Sequence, residues 1–84
     1  MGLDTVELII EIEKRFDIHI EDVRAEKIGT IEDLIVAIEE IKTDHSMNRE
    51  EITEKVLDLV SYVSGIEVSK LNLSDSFTND LGMD

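Results

Sequence analysis

Three stretches of this chain, residues 3–16, 31–41 and 49–63, repeat their aliphatic residues at the spacing of an α-helix, and little between them alternates as a strand would. That periodicity predicts an all-α domain. The 84 residues make one domain at most. A domain this short buries only about 60 to 65% of its unfolded surface, which leaves little room for a large catalytic cleft.

The first stretch, LDTVELIIEIEKRF from Leu3 to Phe16, is rich in helix formers and free of Gly and Pro. Leu3, Val6, Ile9, Ile10, Ile12 and Phe16 sweep a broad apolar arc on that helix, against a narrower stripe of Asp4, Glu7, Glu11, Lys14 and Arg15. So wide an arc predicts contact with several neighbours. Asp17–Ile20 then alternates polar with apolar, as an extended connection with Ile18 and Ile20 turned inward. Glu21 to Lys27 is short and highly charged, a single helical turn ending before Gly29, where glycine can supply a left-handed stop.

Thr30 precedes the run IEDLIVAIEEI with Asp33 three residues on, a near capping box that opens a helix burying Ile31, Leu34, Ile38 and Ile41. Lys42–Ser46 has no periodicity and leads to Met47, which reads as a former start before a fresh helix, so residues 42–48 are expected to be a joint. Ile52, Val56, Leu59, Val60 and Val63 recur at helical spacing until Ser64-Gly65 stops the helix. From Ile66 to Asp84 the chain is a long loop, with Ile66, Val68, Leu71, Leu73, Phe77 and Leu81 as its expected anchors. Loops of that length inside a compact domain are usually functional.

Charge narrows the function classes. The chain has 21 acidic and 8 basic residues, for a net charge of -13, which repels nucleic acid and anionic membranes and favours proteins with basic patches. No apolar run reaches spanning length, and Val6 stands where an N-myristoylation signal wants Ser or Thr, so no membrane association is expected. There is no cysteine, and His19 and His45 lie in different segments without partners at metal-ligand spacing, so no metal site is expected. Neither a nucleophile and base motif nor a phosphate-cradling glycine loop is present, and the chain is not expected to be an enzyme.

Joined tail to head, the ends read SDSFTNDLGMD and then LDTVELIIEIEKRF. This resembles the core of a type II acyl carrier protein, whose motif is Asp-Ser-Leu within an L-G-x-D-S-L-D-x-V-E-L run. Leu81, Gly82 and Asp84 match its first part, and Leu3, Asp4, Val6, Glu7 and Leu8 match the rest. NREEITEKVLDLVSYVSGIE resembles the family's first helix, and RAEKIGTIEDLIVAIEEI its third and fourth.

The resemblance implies that residues 1–84 form a single acyl-carrier-like four-helix bundle with helix order second, third, fourth, first, followed by a long C-terminal loop. That order is the signature of a circular permutation, and an engineered one is expected. Domain termini often lie close together, so the joint can close the bundle. The family is cytoplasmic, serves fatty acid biosynthesis, and tethers acyl chains as thioesters on 4'-phosphopantetheine. Its partners are basic patches on fatty acid synthesis enzymes and phosphopantetheinyl transferase, for which carriers are substrates rather than catalysts.

The family attaches its prosthetic group through a serine at the start of the second helix. Here the matching position holds Gly2, flanked by Asp84 and Leu3, so the attachment serine is absent and the chain as written carries no cofactor. Ser46, Ser61, Ser64, Ser69, Ser74 and Ser76 lack the Asp-Ser-Leu context and read as caps, turns or exposed polar residues. The resemblance gives partner recognition to Asp84, Asp4, Glu7, Glu11 and Glu13. Val6, Ile10, Phe16 and Ile38 would line a latent acyl cavity, although aliphatic residues at this spacing also describe a plain core. The competing reading is an acidic helical adaptor that binds basic proteins without a prosthetic group. Either a monomer or a domain-swapped dimer is compatible with a short joint.

Overall fold

A computed structural model of the chain describes residues 3–42, 47–77 and 82. Within them run four α-helices, α1 (Leu3–Phe16), α2 (Asp22–Glu26), α3 (Ile31–Ile41) and α4 (Arg49–Ser64), and a 3-10 turn at Val68–Lys70. The described residues contain no strand, only an isolated antiparallel bridge between Thr30 and Ser76. The all-helical expectation holds. Most of the joint, the end of the tail and residues 1–2 lie outside the described residues.

α4 organises the core, because both α1 and α3 pack on it. It contributes Ile52, Val56, Leu59 and Val60, spaced to fill one face, and meets the fully buried Leu8 and Ile12 of α1 and Ile31, Leu34, Ile35 and Ile38 of α3. Burying each such side chain is worth about 1.5 to 3 kcal/mol. Ile35 and Ala37 widen the buried stripe of α3 beyond the expected set, while Ile41 is only half-buried.

The apolar arc expected on α1 is corrected by the packing. Its buried face is Thr5, Leu8, Ile9, Ile12 and Phe16, whereas Val6 and Ile10 are 38% and 43% exposed. A helix with one main neighbour has one seam, and residues on the flank of the arc fall outside it. At the C-terminal end, Asp17 takes a left-handed backbone with φ 54°, a conformation that aspartate tolerates better than most side chains. The Ile18 N–H then donates to the Glu13 carbonyl at 3.1 Å, and the Lys42 ammonium reaches the Phe16 carbonyl at 3.4 Å.

α2 is the least anchored helix. Glu21 provides no side-chain cap, and Ala25 is the one buried residue, with the buried Ile20 and Ile28 on either side holding the turn down. Gly29 does not supply the expected left-handed stop. Its φ is not positive, and α2 closes instead through Lys27 and Ile28 N–H groups donating to the Arg24 and Ala25 carbonyls. Next comes the capping box of α3: the Thr30 hydroxyl accepts from the Asp33 N–H at 3.1 Å while Asp33 Oδ2 accepts from the Thr30 N–H at 3.2 Å. α4 opens with the Asn48 side chain accepting from the Glu51 N–H and closes at Gly65, whose φ of 78° is left-handed.

These two glycines predict opposite mutational outcomes. Ala at Gly29 would meet only Asp33 Oδ2, at 3.7 Å, and needs no left-handed backbone. Gly29→Ala should therefore be neutral or stabilising by about 0.5 kcal/mol through the unfolded chain. Gly65→Ala should cost about 1 to 2 kcal/mol because alanine is strained at positive φ. Urea midpoints of the two variants check the contrast.

The loop after α4 is laid along the entrance of α3. Ile31 and Glu32 N–H groups donate to the Asp75 and Leu73 carbonyls, and the Phe77 N–H donates to the Gly29 carbonyl at 3.0 Å. These bonds satisfy free amides at the start of α3 that a helix leaves unpaired. Leu71 and Phe77 are buried anchors as expected and Ile66 and Leu73 are partly buried, but Val68 sits 40% exposed in the 3-10 turn.

Candidate partner-recognition site

On the outer side of α1 the residues expected to meet a partner do not share one environment. Glu7 is exposed, and among the described residues its side chain makes no hydrogen bond or ion pair. Glu11 is about a third exposed and lies 3.8 Å from Lys14, an i,i+3 pair worth only a few tenths of a kcal/mol. Glu13 is already engaged. Its Oε2 accepts from the Ile20 N–H at 2.8 Å and lies 3.1 Å from His19 Nδ1, so it pins the turn that leads into α2. The Asp4 side chain and Asp84 lie outside the described residues.

Glu13 is the residue whose part sequence reasoning missed. A glutamate late in a helix, followed by an aspartate-led turn, has the reach to cap a backbone amide beyond the helix end. The bond to Ile20 lies seven residues on and has no sequence signature of its own.

The four residues expected around a latent acyl cavity are not gathered. Phe16 and Ile38 are buried in the core, at 2% and 0% exposure, while Val6 and Ile10 form a ridge on the open side of α1. A groove of about 470 Å³ is found elsewhere, between α2 and α3. Its walls include Val23 and Val36, its floor Ile28 and Ala37, and its rim Arg24 and Lys27; none of the four expected residues lines it.

Of the serines weighed as attachment points, none of the described ones stands at a helix start. Ser61 and Ser64 sit in the last turn of α4, where Ser64 Oγ accepts from the Ile66 N–H at 3.2 Å. Ser69 lies in the 3-10 turn, and Ser74 and Ser76 lie in the loop that runs past α3. No group of three or more His, Cys, Asp or Glu among the described residues is arranged to hold a metal ion. No described helix is long and apolar enough to cross a membrane.

Thirty-four residues of the chain, 40% of it, are 61% identical to the acyl carrier protein of Chlorobium phaeovibrioides. The acyl carrier protein of Chlorobium luteolum matches with the same identity over the same length. The matched stretch spans 44% of each of those proteins, so the chain covers less than half the length of the curated relatives it matches. No family model matches the chain, and no solved structure matches it. This part of the chain is thus related to acyl carrier proteins, and the helical fold is consistent with that relation.

Proposed function

We propose that the chain is an acyl carrier scaffold of fatty acid synthesis whose helices follow in permuted order, second, third, fourth and first. The observation that carries this reading is the shape of the match. High identity stops at 34 residues, although those residues make up 44% of the relative and 40% of this chain, so these 84 residues are about as many as the relative has. In a permuted chain the remaining segment lies on the other side of the matched block, out of reach of a single collinear alignment. Residues 49–64 and the loop after them are that segment on this reading. α4 packs on both α1 and α3, as a first helix moved to the end of the chain must.

Fatty acid synthesis enzymes and phosphopantetheinyl transferase, through basic patches, are the partners on this reading. The surface offered to them is the outer side of α1, with Glu7 as its free charge and Val6 and Ile10 as its apolar contacts. Complementary charge of this kind raises the association rate and weakens with salt. Glu13 contributes indirectly, by holding the turn into α2.

The residue at the attachment position does not fit the prosthetic group. Gly2 has no hydroxyl to form a phosphodiester, and the described serines occupy helix ends and loops. The experiment is direct: the chain is incubated with a phosphopantetheinyl transferase and coenzyme A, then weighed intact. No gain in mass is expected, and a stoichiometric gain would overturn the missing-serine claim.

A further inference from the structure

Four exposed aliphatic side chains fall into two complementary features. Val6 and Ile10 stand one turn apart as a ridge on α1, at 38% and 43% exposure. Val23 and Val36, at 65% and 39% exposure, wall the groove between α2 and α3. An aliphatic ridge and an aliphatic groove on one small surface are both costly to leave in water.

One pair of charges beside them is complementary, although the groove as a whole carries three acidic side chains, Glu21, Asp33 and Glu40, against two basic ones, Arg24 and Lys27. Glu7 flanks the ridge and Lys27 the groove; both are exposed, and neither side chain has a hydrogen bond or ion pair among the described residues. The other charges of the groove are mostly committed. Arg24 pairs with Glu40 at 3.3 Å, and Asp33 Oδ2 accepts from the Gly29 and Thr30 amides. Glu21 remains exposed at the groove, and Lys14, one turn beyond Ile10, carries the opposite charge.

We propose that the α1 ridge of one molecule seats in the α2–α3 groove of a second copy, with Glu7 of one facing Lys27 of the other. The contact is head-to-tail and joins two different patches, so unless its rotation closes a ring it extends beyond a dimer as concentration rises. A ridge and groove of this size bury less than the roughly 1,200 Å² of stable complexes, so association is weak and transient. Each copy carries a net charge of -13, and their mutual repulsion opposes contact until salt screens it. The inference does not rest on the carrier reading. If both hold, self-association covers Val6, Glu7 and Ile10 and excludes partner enzymes.

Sedimentation velocity over a concentration series, at about 0.1 M and about 1 M salt, tests the proposal. The protein should associate, more strongly at the higher salt. Ile10→Asp removes the ridge and Val36→Asp the groove; both positions are exposed, and circular dichroism verifies that the variants stay folded. Each variant alone should lose association by about tenfold or more. An equimolar mixture should form a heterodimer and stop there, because only one ridge and one groove remain intact. A monomer under all conditions, a mixture that stays monomeric, or association that survives either substitution, as a domain-swapped dimer would, overturns the proposal.

Discussion

Truncating Ile38 to alanine will destabilise the fold by about 2 to 5 kcal/mol, whereas the same change at Ile10 will cost less than about 1 kcal/mol. Both are isoleucines at helical spacing, and both were candidates for the wall of an acyl cavity. Ile38 is fully buried between α3 and α4, so its loss leaves a cavity that close-packed neighbours cannot fill. Ile10 is 43% exposed, and its truncation returns only part of an aliphatic side chain to water. A domain of this size has a total stability of roughly 4 to 13 kcal/mol, so Ile38→Ala removes a large share of it and would unfold the protein at the low end of that range. Urea unfolding followed by circular dichroism measures both changes. Equal costs at the two positions would mean that Ile10 faces the core after all.

On the proposed carrier reading, placing the helices in carrier order around an inserted serine will switch loading from nil to complete. A chain that runs 47–84, then serine, then 3–42 places a hydroxyl between Asp84 and Leu3, at the head of α1. The free amides at a helix N-terminus and the positive end of its dipole favour a phosphodiester at that position. Incubated with transferase and coenzyme A, this chain should gain one phosphopantetheine per molecule, while the same order with glycine in place of the inserted serine should gain none. Failure of the serine form to load, with the fold intact, would favour the acidic adaptor over the carrier.

How legible the molecule is from its residues varies with the kind of signal. α1, α3 and α4 are plain because each joins an aliphatic period to an end signal with one physical meaning, such as Thr30 with Asp33 or Gly65 after Ser64. Gly29 misleads because glycine permits a left-handed backbone without requiring it, and here backbone bonds from Lys27 and Ile28 close α2. The face of α1 misleads for another reason: its arc of aliphatic residues is wider than the single seam with α4. Packing selects Thr5 and Leu8 and leaves Val6 and Ile10 in solvent. The loop after α4 has legible anchors in Leu71 and Phe77 but no period from which its pairing with residues 29–32 could be read.

The candidate site divides in the same way. That Glu7 is an exposed acidic residue follows from its place on the polar stripe of α1. The different fate of Glu13 depends on a bond to Ile20 that exists only once the chain turns at Asp17. Charge type is a sequence property, but availability is a property of the fold.

The central claim is that the two ends of this chain meet as halves of one stretch, and a cross-link measures it most directly. The protein has no cysteine, so the double variant Gly2→Cys, Asp84→Cys carries the only two thiols. A disulfide needs Cα atoms within about 7 Å. Under mild oxidation, intact mass and non-reducing electrophoresis should show nearly complete closure within one molecule. Thiols that stay free, or pair only at random between molecules, would contradict the account.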